Sequence, residues 1–138
     1  MSNTIVTYDG KLHSTGRFED NGVIIPFDVA VEKGGTGLAP TPTDYLSAAL
    51  GGCLLVTMGM LAARREWDIA GTTATVEKEY AETKPLRIKR LATTIRVPNG
   101  ARFTAEQRTI LERAPQHCTV HHSLHPDIDA PILFDWAE

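Results

Sequence analysis

The feature that most constrains this chain is a long segment, residues 45–63, that contains no charged side chain. A segment of this length could span a bilayer as a helix. Glycine, serine and threonine residues lower its hydrophobicity at Ser47, Gly51, Gly52, Thr57 and Gly59. The rest of the chain is rich in strand-like segments that need an apolar element to pack against. We therefore predict a buried core helix rather than a membrane span.

The beginning of this helix is marked by capping residues. Thr41 is a candidate N-cap, Pro42 suits the first helical position, and Asp44 completes a capping box with a shorter acid than usual. We expect the helix to run to about residue 65 or 66. Because it is apolar on nearly every side, and because Gly51 and Gly52 favour close approach of another backbone, it should be covered on several sides.

Strand-like segments flank the helix on both sides. Before it, we predict strands near residues 5–8, 11–18 and 23–27, with turns at Asp9-Gly10 and Asn21-Gly22. After it, we predict strands at residues 72–77, 86–97 and 132–136, and a second helix capped by Thr104 and Gln107. The phase of residues 86–97 slips near Lys89, which indicates a β-bulge. The order predicts one α+β domain over residues 1–138.

Charge argues against a nucleic-acid partner. The formal net charge is -3, whereas nucleic-acid-binding proteins usually present a basic face. The densest basic cluster, Arg87, Lys89 and Arg90, is better explained as the solvated face of a strand. The N-terminus has no basic segment followed by an apolar one, so we expect no signal peptide, no membrane partner and a cytoplasmic location.

The residues best suited to act as nucleophiles or metal ligands are two cysteines and a histidine cluster. Cys53 lies within the long helix, where a cysteine is usually an inert small hydrophobe. Cys118 lies among four of the five histidines, all within residues 117–125. The spacings Cys118-x-x-His121 and His121-x-x-x-His125 suit zinc, but a second paired motif is missing. We therefore expect neither a metal nor a cofactor, while a zinc site and a Cys–His hydrolase remain open as alternatives.

The two cysteine segments resemble those of a known family. Residues 42–53 (PTDYLSAALGGC), preceded by the glycine loop at residues 34–37, are similar to the helix of the OsmC/Ohr proteins, the osmotically inducible and organic-hydroperoxide-resistance proteins. Residues 117–128 (HCTVHHSLHPDI) are similar to the later cysteine motif of an OsmC-like branch. The resemblance implies an α+β subunit with antiparallel sheets around a long central helix, and an intertwined homodimer with sites at the subunit interface.

The resemblance also implies a reaction. Cys53 would be the peroxidatic cysteine that attacks an organic hydroperoxide, and Cys118 would resolve its sulfenic acid as a disulfide. A dithiol reductant, lipoyl-type in relatives, would restore the thiols. The alternative is an OsmC-like protein that binds a small lipophilic ligand with little or no peroxidase turnover.

The chain departs from the family at the groups that activate the first cysteine. The hydroperoxidases place an arginine and a glutamate there. The arginine position falls on His13, with Arg17 nearby but out of register, and the glutamate position falls on Thr43 or Asp44. Thr119 also follows Cys118 where proline is common in relatives. We expect His13 and Asp44 to assist Cys53, although a neutral histidine stabilises a thiolate less than a permanent cation does.

Overall fold

The structure is a computed structural model that describes residues 2–138. Two compact units divide the chain, one ending at Leu46 and the other running from Ser47 to Glu138. The long helix α1, Pro42–Arg64, begins in the first unit and continues through the second. The chain is α+β, as the sequence predicts, and the assignment of one domain to residues 1–138 stays a prediction.

The first unit contains a three-stranded antiparallel sheet. Its strands, in spatial order, are β1 (Thr4–Gly10), β2 (His13–Phe18) and β3 (Ile24–Phe27). The first turn lies later than the Asp9-Gly10 prediction. Lys11 and Leu12 occupy the left-handed region, with φ values of 54° and 67°, after a register shift between Tyr8 and Gly10. The bulge absorbs Asp9-Gly10 into the strand, so that two residues without glycine form the turn itself.

A buried carboxylate organises the loop that follows β3. Asp28 is 1% exposed and accepts hydrogen bonds from the Thr36 hydroxyl at 2.6 Å, the Thr36 N–H at 3.0 Å and the Val29 N–H at 2.8 Å. The Thr36 hydroxyl is the main reason that the pKa of Asp28 falls to about 2. Gly35 fits beneath this turn because a Cβ atom there would lie 1.7 Å from the Val29 carbonyl oxygen. The loop therefore requires glycine at this position.

Helix α1 begins as its sequence predicts. The Thr41 N–H donates to the Asp44 carboxylate at 2.9 Å, and the Asp44 N–H donates to the Thr41 hydroxyl at 3.3 Å. These reciprocal bonds form the capping box. The helix ends at Arg64, one residue before the predicted range.

The chain buries only one side of α1. The buried stripe repeats at helical spacing and comprises Leu50, Leu54, Met58 and Ala62. Gly51 faces β4 (Thr73–Tyr80), whose Val76 Cγ2 would lie 3.3 Å from an added Cβ atom, whereas no heavy atom lies within 4 Å of the Cβ position of Gly52. The predicted close approach thus occurs at Gly51 only. The rest of the chain covers fewer sides of the helix than the apolar composition of the helix predicts.

α1 is also the one helix in the described residues that is long and apolar enough to cross a membrane. Its most apolar window has a mean hydropathy of 1.9 and is 28% buried. A single helix of this kind is weak support for a span, because the core helix of a soluble protein passes the same test.

The second unit combines a mixed sheet with two shorter helices. Its strands pair in the order β4, β5 (Ile88–Val97), β6 (Ile132–Trp136), and its helices are α2 (Ala105–Arg113) and α3 (Thr119–Ser123). β4 and β5 are antiparallel, but β6 runs parallel to β5, which corrects the expectation of purely antiparallel sheets. The segment with α2 and α3 carries the chain back to the start of the sheet and so permits this parallel pairing.

Local signals in the second unit are confirmed. Tyr80 pairs with Ile88 while Glu79 pairs with Arg90, so Lys89 is the additional residue of the predicted bulge. Thr104 caps α2 through a capping box with Gln107. Side chains from α1, β5 and α2 form the buried core of this unit, and include Leu54, Met58, Leu91, Ile95 and Leu111.

Candidate functional site

The second unit brings the two cysteines together. Cys53 lies on α1 beside the buried Leu54 and is partly exposed, while Cys118 is fully buried. Both are free thiols, and the Cys118 thiol donates a hydrogen bond to the Cys53 sulfur. The Cys53 sulfur is therefore accessible to solvent, and the buried Cys118 thiol donates a hydrogen bond to it.

The position of Cys118 follows from the chain that surrounds it. α2 passes into a short 3₁₀ turn at Ala114–His117, in which Pro115 occupies an early helical position. Cys118 then caps α3, and its sulfur accepts a hydrogen bond from the His121 N–H at 3.4 Å. This cap fixes the direction of the thiol. The cap also leaves the N–H groups of Thr119 and Val120 available to other acceptors.

The surroundings of Cys53 lower its pKa. The largest cause is the hydrogen bond from the Cys118 thiol, followed by one from the Val120 N–H. The Thr57 side chain and the Thr119 N–H act in the same direction, whereas burial opposes them. Hydrogen bonds to a thiolate favour the charged form, so Cys53 is the better nucleophile of the pair.

Cys118 has the opposite tendency. Burial raises its pKa first, and the hydrogen bond to Cys53 raises it further because donation requires the proton to stay in place. Negative charge on Cys53 adds to the effect. When the pair loses one proton, the negative charge is therefore favoured on Cys53 and the remaining proton on Cys118.

The other two predicted site residues lie in the first unit, each with partners there. His13 Nε2 lies 3.3 Å from the Asp28 carboxylate, and the His13 side chain is 38% exposed. Asp44 takes part in the capping box of α1. The capping role of Asp44 was predicted, but Asp28 was not foreseen as a partner of His13, because Asp28 is distant in sequence and reaches it only through the folded loop. Whether His13 and Asp44 assist Cys53 stays a prediction.

The late histidines have separate partners. His121 Nε2 bonds to the Ala130 carbonyl at 2.9 Å, His122 Nε2 contacts the Gln116 carbonyl, and the His125 ring accepts the Asp127 N–H at 3.0 Å. Within residues 2–138, no group of three or more His, Cys, Asp or Glu side chains is arranged to hold a metal ion. The zinc alternative therefore lacks a ligand set in this part of the chain.

The sequence did not predict three groups on α3 and α1 that lower the pKa of Cys53. Thr119 and Val120 supply backbone N–H groups, and Thr57 lies one helical turn beyond Cys53. The sequence pattern predicts no helix at residues 119–123. The one signal for a helix there is Cys118 as the cap of His121, and sulfur is a weak acceptor.

The chain thus combines an α+β fold with two neighbouring free thiols. The sequence profile of the OsmC-like protein family matches residues 35–131, so the chain belongs to the OsmC-like family. This membership and the two neighbouring thiols support a redox role of the peroxidase type. No curated protein matches the chain.

Solved structures support the same fold. A protein from Psychrobacter arcticus 273-4, described as an osmotic stress induced and detoxification response protein, is 32% identical with a TM-score of 0.89, and the match covers 97% of this chain and 96% of that one. An organic hydroperoxide resistance protein from Legionella pneumophila is 16% identical over 96% of both chains, with a TM-score of 0.75. A related protein from Vibrio cholerae, with captopril in one of its active sites, is 16% identical over 96% of this chain and 90% of that one, with a TM-score of 0.74.

Proposed function

We propose that this protein reduces organic hydroperoxides, with Cys53 as the attacking thiolate and Cys118 as the resolving thiol. The observation that carries the proposal is the polarity of the pair: hydrogen bonds from the Cys118 thiol and the Val120 N–H lower the pKa of Cys53, while burial raises that of Cys118. Only the thiolate is a strong nucleophile, so the more exposed sulfur is also the activated one. Membership of the OsmC-like family and neighbours named for hydroperoxide resistance support the same reaction.

The reaction proceeds in three steps. The Cys53 thiolate attacks an oxygen of the hydroperoxide, the O–O bond breaks, and the alkoxide takes a proton and leaves as an alcohol while Cys53 becomes a sulfenic acid. Cys118 loses its proton and attacks that sulfur, the S–O bond breaks, and the hydroxyl leaves with a proton as water. A dithiol reductant then reduces the Cys53–Cys118 disulfide by exchange and becomes a disulfide itself.

This cycle needs reducing surroundings. The attack on a hydroperoxide requires Cys53 and Cys118 to start as thiols, and neighbouring thiols stay reduced where glutathione and thioredoxin systems operate. The cytoplasm is therefore the compartment in which we propose that the protein acts. A lipoyl-type dithiol fits as the reductant because it can close into its own disulfide.

A homodimer is part of the same proposal. Val56 and Met60 are 62% and 52% exposed on a helix that is otherwise apolar, and the Cβ position of Gly52 has free space around it. Apolar side chains on one helix face are stabilised when they are removed from water. We propose that a second copy of the chain covers this face.

Stopped-flow kinetics test the proposed reaction. Reduced protein is mixed with cumene hydroperoxide or hydrogen peroxide, and the loss of Cys53 thiolate is followed at several substrate concentrations. We expect a second-order reaction that is faster with the organic substrate, a disulfide as the product, and no reaction in Cys53→Ser. A folded wild-type protein that stays reduced would contradict peroxidase function and favour the alternative, a binding protein for a small lipophilic ligand.

A further inference from the structure

Helix α3 directly follows Cys118 and lies at the surface of the second unit. It has five residues, and none of them is buried. A helix of this length forms too few internal hydrogen bonds to be stable alone, because fixing its first turn costs more free energy than one bond returns. The order of α3 therefore depends on its contacts with the rest of the chain.

The first N–H groups of α3 have sulfur acceptors. A helix leaves these groups without partners inside the helix. The His121 N–H donates to the Cys118 sulfur at 3.4 Å, and the N–H groups of Thr119 and Val120 donate to the Cys53 sulfur. In the part of the chain that the structure describes, neither Thr119 nor Val120 has an oxygen acceptor for its N–H. The first three N–H groups of α3 thus all depend on the two cysteines.

Helix α2, which precedes α3, is capped in a different way. The Thr104 hydroxyl accepts the Gln107 N–H at 3.1 Å, and the Gln107 side chain accepts the Thr104 N–H at 2.8 Å. Leu111 of α2 is also fully buried. None of these contacts involves a thiol, so we expect the order of α2 to be the same whether the cysteines are reduced or oxidised.

Disulfide formation changes the acceptors at the start of α3. The two thiols lose two electrons and two protons to an oxidant, the S–S bond forms, and any negative charge on Cys53 disappears. A charged acceptor forms a stronger hydrogen bond than a neutral one, and uncharged sulfur is a weak acceptor. The S–S bond has a specific geometry, so it also resets the direction of the Cys118 sulfur that caps α3. Oxidation therefore weakens the bonds that order the first turn.

Two side-chain contacts compete with this account, because they hold α3 without using its first N–H groups. His121 Nε2 bonds to the Ala130 carbonyl at 2.9 Å, and His122 Nε2 contacts the Gln116 carbonyl. If these contacts were sufficient, α3 would be equally ordered with thiols and with a disulfide. The two accounts therefore differ in a measurable outcome.

We propose that α3 is a redox-sensitive switch, ordered while Cys53 and Cys118 are thiols and loosened when they form a disulfide. Its exposed residues, Thr119, His122 and Ser123, then report the state of the thiols at the surface. The proposal rests on the pairing of Cys53 with Cys118 in the proposed function. It does not require attack on a hydroperoxide, because any two-electron thiol oxidant forms the same bond.

Hydrogen exchange of the full-length protein on the millisecond-to-second scale tests the switch. Protein reduced with a phosphine is compared with protein oxidised by diamide, which takes up the two electrons and two protons of the thiol pair. We expect the amides of residues 120–124 to exchange about tenfold faster in the disulfide form, equivalent to about 1.4 kcal/mol, and those of residues 108–113 to be unchanged. Equal exchange of residues 120–124 in both forms, faster exchange in both helices, or no Cys53–Cys118 disulfide with diamide would each overturn the proposal.

Variants of Thr119 separate loss of the sulfur-bonded N–H from general loosening. Thr119→Pro removes this N–H and fits the backbone, because Cys118 is extended (φ −74°, ψ 114°) and proline suits the first helical position. Thr119→Ala retains the N–H. We expect Thr119→Ala to keep the tenfold ratio between the two forms and Thr119→Pro to lower it. Equal ratios in both variants would contradict the role of the N–H.

The same samples distinguish the switch from the peroxidase reaction. If diamide forms the disulfide and loosens α3 while cumene hydroperoxide leaves the protein reduced, the peroxidase reaction is refuted and the switch is supported. If cumene hydroperoxide forms the disulfide and α3 keeps its reduced-state exchange rates, the switch is refuted and the reaction stands.

Discussion

At the scale of single residues, the opposite pKa shifts of the two cysteines distinguish the attacking sulfur from the resolving one. Cys53 receives hydrogen bonds from Cys118, Val120 and Thr119, whereas Cys118 is buried and donates its thiol hydrogen to the Cys53 sulfur. A lowered pKa at the exposed sulfur places the nucleophile where a substrate can reach it. A raised pKa at the buried sulfur keeps Cys118 protonated until Cys53 has been oxidised.

Alkylation as a function of pH measures this asymmetry. Near neutral pH, iodoacetamide should modify Cys53 well before Cys118, as judged by peptide mass spectrometry. Because the pKa of Cys53 is lowered, its alkylation rate should be retained as pH falls below about 8.5, the ordinary thiol value, and should decline only below its own pKa. Cys118→Ala should shift that decline to higher pH by removing the main donor, whereas Cys118→Ser retains a hydroxyl donor and should shift it less. Faster modification of Cys118 would contradict the assignment.

His13 is the residue that decides how far the chain follows the hydroperoxidases. A fixed cation at this position should stabilise the Cys53 thiolate and the developing transition state more than histidine does. We expect His13→Arg to raise the rate with organic hydroperoxide about tenfold, equivalent to about 1.4 kcal/mol. The measurement is the same stopped-flow assay.

The neighbouring Arg17→Gln is the matched control, since Arg17 is exposed and out of register with the family position. It should leave the rate unchanged. An unchanged rate in a folded His13→Arg protein would remove His13 from the site. In that case its role would be the contact with the Asp28 carboxylate, 3.3 Å away.

At the scale of elements, the sequence predicts features that depend on neighbouring residues, but not those that depend on pairing between distant segments. The starts of α1 and α2 and the bulge at Lys89 follow from capping residues and periodicity, which act within a few positions. The turn at Lys11-Leu12 depends on how β1 and β2 pair, and the parallel direction of β6 depends on the route of residues 98–131. Helix α3 is too short for a periodic pattern.

The same division applies to the candidate site. The pairing of Cys53 with Cys118 could be predicted because both segments resemble a known family. The direction of their pKa shifts could not, because it depends on the N–H groups of Thr119 and Val120 and on burial. The contact between His13 and Asp28 could not be predicted for a similar reason, because the folded loop brings Asp28 to His13.

The loop held by Asp28 gives a stability prediction. Gly35→Ala would place a Cβ atom 1.7 Å from the Val29 carbonyl oxygen, so the turn must distort. We expect a loss of about 1–3 kcal/mol in the free energy of unfolding, as for other overpacked sites. Lys33→Ala is the contrasting change, because Lys33 is exposed in the same loop and its loss should alter stability by no more than about 0.5 kcal/mol. Urea unfolding at equal protein concentration should separate the two variants, and equal stabilities would contradict this reading of the loop.

At the scale of the whole molecule, the proposed dimer explains why α1 is more apolar than its own chain requires. Its buried stripe of Leu50, Leu54, Met58 and Ala62 is satisfied within the chain, while Val56 and Met60 on other faces are more than half exposed. A helix that is apolar on several sides is stable in water when several sides are covered. A second copy offers a matching apolar helix, and the pairing would place Gly52 where a close approach needs the absence of a side chain.

Light scattering at micromolar concentration tests the dimer directly. We expect twice the chain mass of 15.1 kDa for wild type. Val56→Asp should lower the mass toward that of one chain, because a carboxylate buried at an apolar interface has no partner to offset its desolvation. Leu133→Asp introduces the same charge at a position on β6 that is 61% exposed, nearly equal to the 62% of Val56, and should leave the mass unchanged. A wild-type protein that scatters as a single chain would refute the dimer, and dissociation by both variants would move the interface away from α1.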